Sequence, residues 1–264
     1  MSEYHHVKLR ISGNRADIFL NRPGKHNALN PAMIEELHDA LRVAEQEKDV
    51  LFVVFSGEGP SFCAGADVDW LAGSAVREES QVIREYERLA ELLIRITFYP
   101  KITVAAVHHH VLGGGNGLLA ACDFTIAEET ASFAFSEVKI GIIPATIMPF
   151  VAKRVAVRDL RKLMFSGARF VAGEAHLIGL IDFIAAGNGR MKVADQLIGE
   201  LGSVSPNALK ACKQLILKAE LGEIGLNSGQ YTASVLAKLI RSEEGQEGLR
   251  AFLEKRDPDR TSQK

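Results

Sequence analysis

The sequence has few cysteines, no surplus of either charge and no long apolar run, and each shortage excludes a class of protein. Its 264 residues include only three cysteines, at a wide spacing that fits neither a disulfide framework nor a zinc site and that favours a reducing compartment. Lys and Arg number 31 against 33 Asp and Glu, so nothing indicates a nucleic-acid partner. Without a membrane-length apolar stretch or an apolar signal segment, we expect a cytoplasmic protein with no membrane partner.

What the chain does contain is an alternation of strand and helix patterns. HHVKLRISGNRADIFLNRP alternates apolar and polar residues around a turn, which predicts a hairpin. VLFVVFSG and KITVAAV are continuous apolar runs, typical of strands that are buried on both faces. Between the hairpin and VLFVVFSG apolar residues recur at helical spacing, behind Asn30 as a predicted N-cap and Pro31 at the first helical position. The polar segment Arg77–Arg95, between the two buried strands, is also predicted to be a helix. This order predicts an α/β protein.

The pattern changes from about Lys192 onward. Two amphipathic helices are predicted there, one around Ala208–Ala219 and one around Val235–Ile240, with no evident strand. We therefore divide the chain into a core, residues 1–195, and a helical region, residues 196–264. So much apolar surface on a helical tail must pack on the core or on another subunit.

The segment VLGGGNGLLAACD, Val111–Asp123, places three glycines before an apolar run. It fits neither a dinucleotide fingerprint nor a Walker A motif. A strand is predicted to end near Val111 and a helix to begin near Gly115, so unpaired N–H groups are exposed where glycine lets a ligand oxygen approach. The loop FCAGAD follows the other buried strand, and the two loops could converge two N–H groups on one oxygen. A tight strand-to-helix turn is the alternative.

These motifs together resemble the crotonase, or enoyl-CoA hydratase/isomerase, superfamily. FCAGAD, GGG, ACDFTIA and SFAFSEVKIGIIP occur in the family's order, between NRPGKHNALN early in the chain and EGLRAFLEKRDP near its end. The resemblance implies a ββα spiral core with a C-terminal helical trimerisation region, assembled as a homotrimer or a dimer of trimers. It also implies an acyl-CoA substrate, with no cofactor beyond the coenzyme A of the substrate and no metal.

The resemblance also implies roles for individual residues. By motif position, the backbone N–H groups of Ala66 and Gly114 polarise the thioester carbonyl, and Glu137 is the acid/base. Asp67 and Asp123 match positions that support loops. The residues implied in substrate binding, in the order of the chain, are Lys25, Ala64, Asp67, Trp70, Gly113, Phe252 and Lys255.

One position departs from the family pattern. Hydratases of the family typically carry a second glutamate two residues after the GGG, where this chain has Gly117. The segments GGGNG, SEV and IPATIMP resemble a bacterial branch of methylglutaconyl-CoA hydratases, which favours an active hydratase with one glutamate. The alternatives are an isomerase, decarboxylase or thioesterase on the same scaffold, or a CoA-binding protein without activity. We expect the acyl pocket to be built from loops around Trp70–Ser80 and Ala145–Phe150. A carboxylated substrate would need a cation, for which the candidates are Arg77, Arg84 and Arg154.

Four further residues invite a chemical role. His108, His109 and His110 are consecutive, and because neighbouring strand residues point to opposite faces, the three cannot converge on one metal ion. We expect a structural role for them, although His109 stands where the family usually has glycine. Cys63 lies beside the predicted oxyanion hole, and nothing around it in the sequence suggests an activated thiolate, so we expect packing.

Overall fold

The computed structural model describes residues 4–259, and these form strands and helices in alternation. The strands are β1 Val7–Ser12, β2 Arg15–Leu20, β3 Phe52–Gly57, β4 Ile102–Val107, β5 His110–Leu112, β6 Phe124–Glu128, β7 Ser132–Ala134, β8 Phe170–Val171 and β9 Phe183–Ala185. The helices are α1 Pro31–Gln46, α2 Val68–Ser74, α3 Glu79–Thr97, α4 Gly114–Ala121, α5 Met148–Arg154, α6 Val157–Ser166, α7 Ala172–Leu177, α8 Arg190–Gly202, α9 Pro206–Glu220, α10 Gly229–Arg241 and α11 Glu243–Glu254. The predicted α/β class is confirmed.

Two sheets organise the N-terminal part of the chain. The larger has the order β1-β2-β3-β4-β6-β9, with an antiparallel β1–β2 hairpin and parallel pairing from β2 to β9. The smaller has the order β5-β7-β8. Every residue of β3 and β4 is buried, as expected for central parallel strands that are covered on both faces. The two strands therefore direct the loops that follow them to one edge of the sheet.

The first long helix forms where its capping signals place it. The side chain of Asn30 accepts a hydrogen bond from the Met33 N–H at 2.9 Å, and Pro31 is the first helical residue. This cap satisfies one of the N–H groups that a helix start leaves unpaired. The apolar stripe of α1, which includes Ile34, Leu37 and Leu41, is buried in the core.

Three boundaries differ from the sequence predictions. α2 forms in a segment that we expected to be a loop, because Asp67 caps its start by accepting a hydrogen bond from the Asp69 N–H at 2.9 Å. α3 begins at Glu79 rather than at Arg77. α4 begins at Gly114, one residue before the predicted start, since the chain turns at Gly113 with a φ of +45° that favours glycine.

The chain divides into two compact units, one ending at Leu197 and the other beginning at Ile198. This division lies two residues beyond the expected boundary. The second unit consists of the end of α8 followed by α9, α10 and α11. Its expected role in trimerisation stays a prediction. Within residues 4–259, none of the helices is long and apolar enough to cross a membrane.

Candidate active site

The loops after β3 and β5 lie against each other. Cys63 and Val111 form a parallel bridge, in which the Cys63 N–H donates to His110 O at 3.0 Å and the Leu112 N–H donates to Cys63 O at 2.9 Å. At the end of this bridge the backbones of two glycines meet, since a Cβ on Gly113 would lie 3.6 Å from the Cα of Gly65. Ala66 and Gly114, each one residue further along, therefore lie side by side at the edge of the sheet.

The backbone N–H groups of Ala66 and Gly114 are left for a ligand. On either side of Ala66 the backbone is paired with residue 29, because the Leu29 N–H donates to Gly65 O and the Asp67 N–H donates to Leu29 O. The Ala66 N–H points away from that pairing, and Gly114 is the first residue of α4, whose N–H has no intrahelical acceptor. Neither N–H donates a hydrogen bond within residues 4–259. Two free N–H donors of this kind have the chemistry that an oxyanion hole requires.

Both loops open into a cavity of about 830 Å³ that lies within the first unit. Besides the two loops, its walls come from α2, from one face of α3 and from the segment 136–147. Its lining is predominantly apolar, and Glu137 is the one charged side chain among the lining residues that the structure describes. An apolar cleft with a few polar groups at one place is the usual form of a small-molecule site.

Glu137 lies against the glycine loop. Its Oε1 would be 2.8 Å from a Cβ on Gly113, so any side chain at 113 would displace the carboxylate. Its Oε2 is buried and has no hydrogen-bond partner among the described residues. Burial raises the pKa of the Glu137 carboxyl above its usual value, because the charged form loses hydration. A carboxyl with one unpartnered oxygen and a raised pKa, close to two free N–H groups, is equipped to take up and release a proton.

The wall of the cavity at Gly117 is closed by an isoleucine. A Cβ on Gly117 would lie 2.5 Å from Ile147 Cγ2 and 3.2 Å from Leu93 Cδ1. Ile147 is 3% exposed and lines the cavity. The space that a side chain at 117 would need is therefore filled, and no second carboxylate fits at this position without a change at 147.

Trp70 forms another wall, in a fixed orientation. Its ring stacks on Tyr86 with centroids 4.8 Å apart, and its Nε1–H donates to Glu85 Oε2 at 2.5 Å. Glu85 also accepts a hydrogen bond from Arg77 Nη1. Stacking and hydrogen bonds hold the indole in place, so this wall is rigid.

Comparison with known proteins places the chain in a family. The model of the enoyl-CoA hydratase/isomerase family matches residues 10–263. The chain belongs to the enoyl-CoA hydratase/isomerase family. A Thermus thermophilus relative, provisionally named an enoyl-CoA hydratase, is 35% identical over 93% of this chain and 97% of its own length. The 2,3-dehydroadipyl-CoA hydratase of Escherichia coli is 31% identical over 91% of this chain and 92% of its own length.

A solved structure of the family extends the likeness to three dimensions. The crystal structure of an enoyl-CoA hydratase from Shewanella pealeana superposes with a TM-score of 0.92 at 34% identity, covering 97% of this chain and 96% of that one. The expected crotonase-type α/β fold, with a helical C-terminal region, is thereby confirmed. The subunit assembly that the family resemblance implied stays a prediction.

Two of the predicted binding residues, Asp67 and Lys25, form ion pairs. Asp67 forms an ion pair with Arg22, with Oδ2 and Nη2 2.7 Å apart. Burial alone would raise the pKa of Asp67, but the hydrogen bond and charge of Arg22 lower it. Lys25 is exposed and its Nζ lies 3.0 Å from Asp69 Oδ2. Ala64 and Gly113 line the cavity. The carboxylate of Asp123 accepts hydrogen bonds from Thr103 N and Oγ1, at 2.7 and 2.9 Å.

The two predicted binding residues near the C-terminus belong to the second unit. Phe252 is in α11 and is 80% exposed. Lys255 caps the end of that helix in the left-handed region, with a φ of +53°. Contact of either residue with coenzyme A stays a prediction.

The three consecutive histidines are outside the cavity lining. His108 is buried, and its Nε2 lies 3.0 Å from Gly59 O. His109 turns the chain with a φ of +50°, in the conformation that glycine adopts most easily. His110 packs near His26, with ring centroids 6.1 Å apart. No group of side chains able to hold a metal ion occurs in the described chain.

Cys63 is fully buried. Burial raises the pKa of its thiol to about 12, so the nucleophilic thiolate is not formed near neutral pH. The expected packing role agrees with this environment.

Sequence reasoning missed one wall of the cavity. Val82, Tyr86 and Leu89 of α3 line it, whereas we expected the acyl pocket to come from loops. Their spacing of four and three residues is that of one helical face. That signal was in the sequence, but periodicity alone does not tell whether an apolar face meets the core or a ligand.

Proposed function

We propose that this chain is a hydratase that adds water reversibly across the 2,3 double bond of a 2-enoyl-CoA thioester, with Glu137 as its single acid/base. The observation that supports this most is the buried, unpartnered Oε2 of Glu137 in an apolar cavity beside two free N–H groups. Hydratase activity is also what the names of the relatives state of those proteins.

The first role belongs to the backbone. The N–H groups of Ala66 and Gly114 donate hydrogen bonds to the thioester carbonyl oxygen, and these bonds strengthen as the oxygen gains negative charge in the enolate. The N-terminal end of α4 adds the positive end of its dipole. Loss of one such donor typically costs roughly 3 kcal/mol of barrier.

The second role belongs to Glu137. As a carboxylate it takes one proton from a water molecule while the water oxygen bonds to Cβ, and the electron pair of the double bond moves toward the carbonyl. The protonated Glu137 then gives that proton to Cα, which restores the carboxylate and the thioester. The sum is one water added, with no electron transferred, so the reaction needs no redox cofactor.

We assign the remaining predicted residues to substrate binding. Lys25, Phe252 and Lys255 contact the coenzyme A moiety, whereas Trp70 shapes the pocket for the acyl chain. Ala64 and Gly113 form the backbone walls on either side of the thioester, and Asp67 holds the Ala66 loop through Arg22. The exposed apolar side chains of the second unit, including Leu226, Leu236 and Phe252, are covered by other copies of the chain in a homotrimer or hexamer.

The same carboxylate also supports a second candidate, an enoyl-CoA isomerase. One unpaired carboxyl in an apolar pocket can move a proton from Cα to Cγ of a 3-enoyl-CoA without water. The two reactions differ in mass balance, because hydration adds one water and isomerisation adds none.

The test is product analysis with crotonyl-CoA and with a 3-enoyl-CoA, by thioester absorbance and mass spectrometry. Gain of one water from crotonyl-CoA with wild type, and its loss in Glu137→Gln, supports the hydratase. A 3-enoyl-CoA converted to its 2-enoyl isomer with no hydrated product from either substrate supports the isomerase. Binding of both thioesters without turnover contradicts both candidates and leaves a CoA-binding protein.

The identity of the acyl group on the substrate is a separate part of the proposal. Resemblance to the methylglutaconyl branch makes 3-methylglutaconyl-CoA, or a related branched acyl-CoA, a candidate substrate, and the name of the E. coli relative includes a dicarboxylic acyl group. Such a substrate needs a cation for its free carboxylate. Of the three arginines considered, none is among the residues that line the cavity; Arg154 is bound to Asp182 and to the carbonyls of Cys122 and Asp123.

A further inference from the structure

The cavity has no positive charge among its described lining residues. Its walls include Trp70, Tyr86, Leu89, Ile142 and Ile147, and no Lys, Arg or His occurs among the described residues that line it. The polar side-chain groups beside these walls are hydroxyls, and that of Ser74 already donates to Trp70 O at 3.0 Å. A group that enters the cavity leaves water without gaining a counter-charge.

Arg77 lies directly behind this wall, and its donors are already used. Nη1 pairs with Glu85. Nη2 donates to Trp70 O at 3.0 Å and lies 3.1 Å from Ser74 Oγ, while Nε donates to Gly73 O at 3.1 Å. Arg77 is thus neutralised by a carboxylate and by the carbonyls at the C-terminal end of α2, where a cation is stabilised.

We infer that the cavity selects acyl chains without a terminal charge, and that the Arg77–Glu85 pair enforces this selection by keeping the arginine from the substrate. This inference rests on the proposed acyl-CoA site. A substrate carboxylate in this cavity loses its hydration with no ion pair to replace it, and it is repelled by ionised Glu137. Ser74 lines the cavity, and its Oγ lies 3.1 Å from Arg77 Nη2, so Arg77 is close enough to reach the cavity once it is freed from Glu85.

The experiment compares the binding of pentanoyl-CoA and glutaryl-CoA to the intact protein by calorimetry. The two acyl groups have the same number of carbons and differ in a terminal methyl or carboxylate. Both are saturated, so the comparison does not depend on hydration. We expect glutaryl-CoA to bind at least ~100-fold more weakly. Equal dissociation constants, or tighter binding of glutaryl-CoA, overturn the inference.

A failure of the proposed hydratase is distinguishable from a failure of this inference. If crotonyl-CoA is not hydrated but pentanoyl-CoA still binds far better than glutaryl-CoA, the hydratase fails and the selection stands. If crotonyl-CoA is hydrated and glutaryl-CoA binds equally well, the selection fails alone. If neither saturated thioester binds, the acyl-CoA site itself is wrong, and the inference falls with it.

Two variants test the part played by the ion pair. Glu85→Gln leaves Arg77 charged but unpaired, and we expect it to reduce the preference for pentanoyl-CoA at least ~10-fold. The double variant Arg77→Met, Glu85→Gln removes both charges and restores the wild-type preference. Glu87→Gln removes an exposed carboxylate from the same helix and serves as the matched control. A folded Glu85→Gln with the wild-type preference contradicts the role of the pair.

Discussion

Glu137 and Glu85 are two carboxylates with different places at one cavity: Glu137 lines it, whereas Glu85 lies behind the Trp70 wall, bonded to the indole. Glu85 accepts hydrogen bonds from the Trp70 indole and the Arg77 guanidinium. Glu137 has a buried oxygen without any partner among the described residues. A charged partner stabilises the ionised form and fixes its geometry, whereas burial without a partner favours uptake of a proton. The first carboxylate therefore builds the wall, and the second is available for chemistry.

The largest expected effect is the loss of hydration activity when Glu137, rather than Glu85, is replaced. Glu137→Gln keeps the shape of the side chain but cannot exchange a proton, so we expect kcat for crotonyl-CoA hydration to fall about 10³-fold. Glu85→Gln should lower kcat by less than about 10-fold, because Glu85 does not line the cavity and acts only through Trp70 and Arg77. Steady-state kinetics of the two variants checks this. Similar losses in both would mean that the two carboxylates do not have separate roles.

The pH dependence of hydration gives a second test of the role proposed for Glu137. Hydration begins with Glu137 as a carboxylate, and its pKa is raised by burial. The rate constant kcat/KM for hydration should therefore rise with pH, up to about tenfold per pH unit, and level off above a pKa higher than that of an ordinary glutamate. Initial rates across pH measure this limb. A rate that is flat from pH 5 to 8, with the protein still folded, contradicts proton uptake by Glu137.

The next prediction tests whether Ile147 leaves no room for a side chain at position 117, where a second carboxylate would stand. Gly117→Ala pushes a Cβ to 2.5 Å from Ile147 Cγ2, and we expect this overpacking to lower the free energy of unfolding by about 1–3 kcal/mol. Gly173→Ala, in α7, is the control, since no atom lies within 4 Å of its new Cβ. Urea unfolding measures both. If Ile147→Ala does not reduce the cost of Gly117→Ala, the two positions are not coupled as the geometry requires.

The smallest effects are on stability, and they have opposite signs. A carboxyl whose pKa is raised in the folded state contributes stability that is complete below its unfolded pKa and is lost as the pH rises through its folded pKa. Glu137→Gln should therefore unfold at a higher temperature than wild type at pH 7.5, with a smaller difference at pH 4. Glu85→Gln should be less stable by about 1 kcal/mol, because a charged hydrogen-bond acceptor is lost in a partly exposed pair.

The measurement is the thermal unfolding temperature of wild type and of both variants at pH 4 and pH 7.5. A stabilised Glu85→Gln, or a destabilised Glu137→Gln at pH 7.5, would reverse the assignment of the paired and unpaired carboxylates.

The regular elements were predictable where local signals agreed. The hairpin β1–β2, the buried strands β3 and β4 and the start of α1 at Pro31 follow from alternation, apolar runs and an N-cap. α2 was not, because its start depends on Asp67, which we expected to support a turn. The acyl wall on α3 was missed, since an apolar helical face has the same pattern against a ligand as against the core.

The sequence by itself determined the family and the α/β class and predicted which glutamate is the acid/base, because these depend on residue types in a set order along the chain. Only the tertiary structure decided what each neighbouring group does. It placed Ile147 against Gly117, paired Arg77 with Glu85 and left Glu137 Oε2 without a partner among the described residues. Some of these contacts join residues that are far apart in the chain, and others depend on side-chain rotamers. Burial and pairing set the chemistry of a carboxylate, and both exist only after folding.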